Sequence, residues 1–118
     1  MSRAEDRSLQ DWLSDIISWG ERVAEHIEGM DESTFAADRK TQDAVIRCLE
    51  CVGEASRQVV VSGHATSFPD IEFLQAYWTR NRLAHGYYDI SLTRVWLTAT
   101  ESIPNLLVDV RGVLNVLE

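Results

Sequence analysis

One apolar stripe near the C-terminus narrows the folds open to this chain more than any other feature. Between positions 92 and 117, apolar residues recur at alternating steps of four and three. They are Leu92, Trp96, Ala99, Ile103, Leu106, Val110, Val113 and Leu117. Such a seam is typical of an α-helix that packs nearly parallel to its neighbours in a bundle. Pro104 interrupts the seam, and because proline cannot donate a hydrogen bond to the carbonyl of Thr100, we expect a kink or a break there.

Three earlier segments repeat this helical spacing. Polar residues that can cap a helix precede each of them and the last helix; they are Ser8, then Asp31, Ser33 or Thr34, then Asp70, and finally Ser91. No segment alternates with period two for long enough to predict a strand. The fold is therefore predicted to be all-α, an antiparallel bundle of four to five helices in a single domain, 1–118. The predicted helices run over about 9–29, from 35 or 39 to 61, over 71–84, and from 92 onward.

Composition sets limits on location and partners. The chain has 118 residues, of which 45% are hydrophobic and 25% charged, as in globular proteins. The first ten residues contain no apolar run of the kind found in secretory signals, and no window reaches the roughly 18 apolar residues of a membrane span. We therefore expect a cytoplasmic protein with no membrane contact. The net charge of −8 argues against broad binding to duplex nucleic acid and suits a protein partner.

Cys48 and Cys51 have the CxxC spacing of many metal and redox sites. Two thiols cannot complete a tetrahedral metal site, and no second pair follows. Because both lie within a helical pattern, we expect ordinary thiols in or near the core, with metal binding and redox chemistry as the less favoured alternatives. His64 stands alone in a polar loop, where a histidine is usually exposed to solvent. We predict no metal site and no cofactor.

The polar stretch 78–89, with the sequence WTRNRLAHGYYD, concentrates the chemically active side chains. Asn81 and His85 are four residues apart and would share one face of a helix. Arg80 precedes His85 by five residues, which places it about 140° away around the helix axis. Arg80 must therefore curl round with its long side chain or serve a site formed between two copies of the chain.

These residue types could cleave RNA without a metal ion. The 2′-hydroxyl would attack the adjacent phosphorus while His85 moves a proton and Arg80 stabilises the charge developing on the phosphate. Arg82 could contact phosphate, and Trp78 could stack on a base or pack in the core. The residues alone favour a simpler interpretation, in which His85 complements the helix dipole and the arginines pair with carboxylates.

A resemblance to a known family helps to decide between RNA cleavage and a structural role. The pattern Arg80-Asn81-x-x-x-His85-Gly86-Tyr87 resembles the Arg-x4-His-x-Tyr motif of HepT-like toxins, within the HEPN superfamily of helical ribonucleases. The segment 38–55, DRKTQDAVIRCLECVGEA, is similar to the second-helix signature of the same family. The order of elements also fits, with the motif before a short turn and a last long helix. The resemblance thus covers nearly the whole chain.

The resemblance implies a complete mode of action. It implies a homodimer in which two copies of the motif face one cleft, with Arg80 and His85 as the catalytic pair and Asn81 as their polar helper. It also implies a partner, a minimal nucleotidyltransferase antitoxin, that silences this ribonuclease toxin by transferring AMP to Tyr87. Tyr88 offers a second possible acceptor hydroxyl. The alternative that remains open is a non-catalytic binding module that holds a nucleotidyltransferase.

Overall fold

The computed structural model describes residues 2–73, 75–76, 79 and 91–117, and its helices confirm the predicted all-α class. The described residues contain no strand. The described residues also form a 3₁₀ turn and a π-helical turn, and within the described ranges no helix is both long and apolar enough to cross a membrane. The elements are α1 (Ser2–Ile27), α2 (Glu32–Ala36), α3 (Arg39–Val61), the 3₁₀ turn (His64–Ser67), α4 (Leu92–Leu97), the π turn (Thr98–Ser102) and α5 (Ile103–Leu117).

The first helix begins earlier than its apolar pattern predicts. α1 starts at Ser2, so Ser8 lies inside the helix and is not its N-cap. Its end agrees with the prediction to within two residues, because helical residues stop at Ile27. Gly29 then adopts a φ of 78°, in the left-handed region that glycine enters without the steric cost of a Cβ atom.

The second predicted helix is two helices, each with an aspartate cap. At α2, the Asp31 carboxylate accepts from the backbone N–H of Thr34, and the Thr34 hydroxyl accepts from the backbone N–H of Asp31. At α3, the Asp38 carboxylate accepts from the hydroxyl and the backbone N–H of Thr41. Because these bonds stabilise the charged form, the pKa of each aspartate is lowered. The later of the two predicted starts, Arg39, is therefore the correct one for the long helix.

α3 is the central helix, and α1 runs antiparallel along it. The Trp12 ring near the start of α1 lies 6.4 Å from the His64 ring, just beyond the end of α3. Further along α1, Arg22 is close enough to influence the Cys48 thiol in the middle of α3. Among the described residues, the buried side of α3 includes one polar side chain, Ser56, and its hydroxyl has no hydrogen-bond partner among them. The buried residues of α3 are Val45, Cys48, Leu49, Val52, Gly53, Ala55, Ser56 and Val59.

α5 also runs antiparallel to α1, and one glycine sets how closely they approach. A Cβ atom added at Gly20 would lie 2.6 Å from the Cδ2 atom of Leu107, so the leucine fills the space that the glycine leaves. Beside this contact, Arg111 Nη2 donates to Glu21 Oε2 at 2.7 Å. Gly53 is buried in α3. The role of Gly20 was not anticipated.

The disturbance predicted near Thr100 takes the form of a π turn rather than a break. The helical path continues from α4 through the π turn into α5, and the N–H of Ile103 donates to the carbonyl of Thr98, five residues back. This wider turn occurs where Pro104 has no N–H for an α-helical bond to Thr100.

The buried side of this helical path is broader than the predicted seam. Four seam residues, Ala99, Ile103, Leu106 and Val110, are buried as expected. Leu117 is 37% exposed. The additional buried residues are Val95, Leu107 and Leu114. The predicted stripe includes Leu106 but not Leu107. Both are buried, and they face different neighbours.

Candidate functional site

The polar stretch 78–89 is bracketed by described residues on both sides. Within the stretch itself, Thr79 belongs to the described residues and is helical. The predicted site residues lie outside the described residues, and so does the second candidate acceptor. These residues are Trp78, Arg80, Asn81, Arg82, His85, Tyr87 and Tyr88. The structure describes residues before and after the stretch.

On the N-terminal side, the described residues Phe73, Gln75, Ala76 and Thr79 are helical. Phe73, the first of these, is 1% exposed and lies in the core. The N–H of Ala76 donates to the carbonyl of Glu72 at 3.2 Å, and the Thr79 hydroxyl donates to the carbonyl of Gln75 at 3.0 Å. Asp70 lies in a turn ahead of Phe73, so the predicted helix starts later than expected.

On the C-terminal side, Ser91 caps α4 as predicted. Its hydroxyl accepts from the N–H of Arg94 at 3.3 Å, and its carbonyl accepts from the N–H of Val95 at 3.0 Å. Val95 is buried, and the Thr93 hydroxyl donates to Glu32 of α2 at 3.3 Å. The polar stretch therefore runs between two anchored ends, Phe73 in the core and the capped start of α4.

A groove of about 350 Å³ lies beside the approach to the polar stretch. Its floor is apolar and comes from α3 and α5. The described residues of one wall lie between Asp70 and Thr79, and the other wall is the π turn with part of α5. Its polar walls include four carboxylates, two on each side. We define this acidic groove by its floor residues Leu49, Val52, Ile103 and Leu106 and by the carboxylates Asp70, Glu72, Glu101 and Asp109.

The acidic groove was not foreseen from the sequence. Its four carboxylates come from two segments about thirty residues apart, and acidic residues outside an apolar stripe are ordinary on a solvated helix. Two ion pairs form among the described side chains, Glu54–Arg57 and Glu21–Arg111, and neither involves a groove carboxylate. Among the described side chains, the four groove carboxylates therefore have no cationic partner.

The cysteines behave as the ordinary thiols that were predicted. Both are free; Cys48 is buried and Cys51 half-buried. Burial raises the pKa of each thiol, which keeps it protonated and unreactive near neutral pH. No group of three metal-ligating side chains occurs within the described residues. His64 differs from its prediction, because it is half-buried against Trp12 rather than free in solvent.

Comparison with known proteins identifies what the chain is similar to. The model of the family described as "Ribonuclease HepT-like" matches residues 16–112. A protein of Thermococcus cleftensis named "Probable ribonuclease HepT" is 35% identical over 100 residues, covering 85% of this chain and 90% of that protein. "Putative RNase MJ0125" of Methanocaldococcus jannaschii is 30% identical over 112 residues, covering 95% and 96%. No solved structure matches the chain.

Proposed function

Because the chain belongs to the ribonuclease HepT-like family, we propose that it is a ribonuclease that cuts RNA internally without a metal ion. The observation that carries the proposal is the family match over residues 16–112, which includes the whole polar stretch 78–89. Relatives named as ribonucleases cover most of the chain as well. The histidine and arginine of the stretch supply the proton transfer and the phosphate contact that such cleavage needs.

The reaction assigns a role to each polar residue of the stretch. His85 takes the proton of the 2′-hydroxyl, whose oxygen attacks the adjacent phosphorus. Arg80 stabilises the negative charge that develops on the phosphate oxygens, and Asn81 orients one of them. The bond to the 5′-oxygen breaks, and this oxygen takes a proton from the protonated His85 or from water, which leaves a 2′,3′-cyclic phosphate and a 5′-hydroxyl. Trp78 and Arg82 hold the RNA by base stacking and phosphate contact.

The same proposal includes a homodimer and a control by modification. Arg80 and His85 are about 140° apart around an ideal helix, so a cleft formed by two copies would supply both groups. A partner nucleotidyltransferase transfers AMP from ATP to Tyr87, and the added phosphate blocks RNA by bulk and by charge. The chain would then act as the toxin of a toxin–antitoxin pair.

A second candidate function is favoured by the net charge of −8. A chain with this surplus of carboxylates would serve equally as a non-catalytic module that binds a nucleotidyltransferase. The two candidates differ in one respect, since only the first produces cut RNA.

Cleavage of cellular RNA in EDTA tests the proposal. Unmodified protein, verified by intact mass, should give discrete cuts with cyclic-phosphate and 5′-hydroxyl ends. His85→Ala should reduce cleavage by at least about a hundredfold, the lower range for loss of a general acid–base. Tyr87→Phe is the matched control, because it removes the acceptor hydroxyl and should keep cleavage while abolishing AMP transfer. Absence of cuts from the unmodified protein, or equal cuts from His85→Ala, would overturn the enzymatic proposal.

A further inference from the structure

The outer side of α5 exposes apolar side chains to solvent. Among the described residues, Val108 and Val116 are the two most exposed large apolar side chains, at 67% and 85%. Pro104 is also exposed, and because Pro104, Val108 and Val116 are spaced by four and eight residues, they lie in one row along the helix. A Cβ atom added at Gly112, between the two valines, would meet nothing within 4 Å. We define the outer row of α5 as Pro104, Val108 and Val116.

The outer row is continuous enough to form an interface. Twelve positions separate its ends, which at about 1.5 Å per residue is about 18 Å. Single apolar residues on a surface need no explanation, whereas apolar side chains grouped on one face mark an interaction site. A row of residues four apart is also the ridge that packs between the ridges of a second helix.

The charge of α5 indicates what could cover the outer row. The helix contains one acidic side chain, Asp109, and one basic side chain, Arg111, so it is neutral in a chain with a net charge of −8. Two copies of the chain repel each other through their net charge, and this repulsion is weakest where both present a neutral face. RNA would find no unpaired cation on α5, because Arg111 already pairs with Glu21.

The polar border of the outer row suits a copy of itself. Asn105 and Asn115 are exposed and adjoin Pro104 and Val116 in the sequence. Each side-chain amide both donates and accepts hydrogen bonds, so it can pair with an identical amide. A contact between two identical chains needs a surface that is complementary to itself. A strongly charged partner would gain nothing from these two amides.

The acidic groove indicates which pairing of helices would serve the proposed site. Asn105 and Asp109 line the groove from α5, and Thr79, which directly precedes Arg80 in the sequence, lines it from the opposite wall. When two helices pair antiparallel about a twofold axis, the same flank of each helix lies on the same side of the pair. The two copies of Thr79 would then lie on one side. Parallel pairing would put them on opposite sides.

We propose that two copies of the chain associate through the outer row of α5, with the two helices antiparallel. The contact follows from the exposed row and its neutral, self-complementary border. Its orientation rests on the proposed function, because a cleft shared by two polar stretches needs both on one side. One pair of helices over so short a length buries less than the roughly 800 Å² per partner of stable complexes, so we expect a weak dimer with a dissociation constant on the order of 10–100 μM.

Sedimentation equilibrium of the full chain and two matched variants tests the contact. Val108→Glu places a charge in the outer row, whereas Val61→Glu makes the same change at an exposed valine at the end of α3. The unaltered chain should shift from monomer toward twice that mass between about 1 and 500 μM. Val108→Glu should weaken association by about tenfold or more, and Val61→Glu by less than about threefold. A monomer at every concentration, or equal weakening by the two variants, would overturn the proposal.

A serine pair keeps the comparison valid if a glutamate variant unfolds. Val108→Ser and Val61→Ser each remove exposed apolar surface without adding charge. Val108→Ser should still weaken association more than Val61→Ser, and the reverse order would overturn the proposal.

Disulfide trapping tests the orientation. In a background of Cys48→Ala and Cys51→Ser, chains with Asn105→Cys are mixed with chains with Val116→Cys and oxidised by air. Antiparallel helices bring position 105 of one copy near position 116 of the other, so the mixed disulfide should exceed both products of self-coupling. Predominant self-coupling of the Val116→Cys chains would show parallel helices and overturn the proposed orientation.

These results separate the interface from the proposed activity. A dimer through the outer row without RNA cleavage would remove the ribonuclease proposal and retain the contact. RNA cleavage by a chain that stays monomeric would retain the activity and overturn the contact.

Discussion

Two neighbouring leucines of α5 face different surroundings. Leu107 fills the space above Gly20 of α1, beside the ion pair of Glu21 with Arg111. Leu106 borders the acidic groove, which stays open. The two leucines are 6% and 7% exposed, so their burial is nearly the same. The difference lies in what surrounds them, a glycine and a paired charge on one side and unpaired carboxylates on the other.

This contrast separates a closed helix contact from an open groove. The side that faces α1 has the features of a permanent contact, namely close approach and opposite charges in register. The side that faces the acidic groove has an equally buried leucine, and its walls carry four exposed carboxylates. Three measurements can break or sharpen the contrast.

Truncating each leucine should give the largest effect. Leu107→Ala should lower the free energy of unfolding by about 4 kcal/mol, because the gap left between two helices cannot close, and Leu106→Ala by about 2.5 kcal/mol, because its space opens to a groove that water can enter. Urea denaturation of the two variants gives both values. A larger loss for Leu106→Ala would mean that the groove side is the tighter one, contrary to the comparison.

Substitutions at one glycine of α1 and one of α5 should give the next largest change in the free energy of unfolding. Gly20→Leu should lower the free energy of unfolding by about 2 kcal/mol, since its side chain must displace Leu107. Gly112→Ala on α5 is the matched control: a Cβ there meets nothing within 4 Å, so the better helix propensity should raise stability by up to about 1 kcal/mol. Thermal melts compare the two. A neutral Gly20→Leu would show that Leu107 moves aside freely.

The sequence revealed those features that depend on neighbours along the chain. The cap at Ser91 and the disturbance near Thr100 follow from local rules, and the structure bears out both. The start of α1 was missed because residues 2–8 have no apolar spacing that could signal a helix. Gly20 looked like any glycine in a helix, since its partner Leu107 is far away in sequence.

For the candidate site, too, local features could be predicted from the sequence and those that depend on distant residues could not. Side-chain chemistry and family resemblance drew attention to the polar stretch 78–89, and the family match includes it. The roles of Arg80 and His85 remain a prediction that the cleavage assay tests. The acidic groove had no sequence signal, because Asp70 and Glu101 meet only after the helices pack. A pattern within one helix predicts what that helix buries, and it cannot predict which charges face each other across a gap.

Removing charges should change the free energy of unfolding least, and the sign of the change should differ between the two sides of α5. Glu21→Gln removes an attraction to Arg111 and should lower the free energy of unfolding by about 0.5 kcal/mol or less, as for exposed ion pairs. Glu101→Gln with Asp109→Asn removes repulsion across the acidic groove and should raise it by a similar amount, about 0.5 kcal/mol. Urea denaturation at low and high salt measures both, and salt should shrink each change because the charges are exposed. If the groove variant is less stable than the unaltered chain at low salt, Glu101 and Asp109 take part in net favourable electrostatic interactions. The two sides of α5 would then be electrostatically alike, contrary to the comparison.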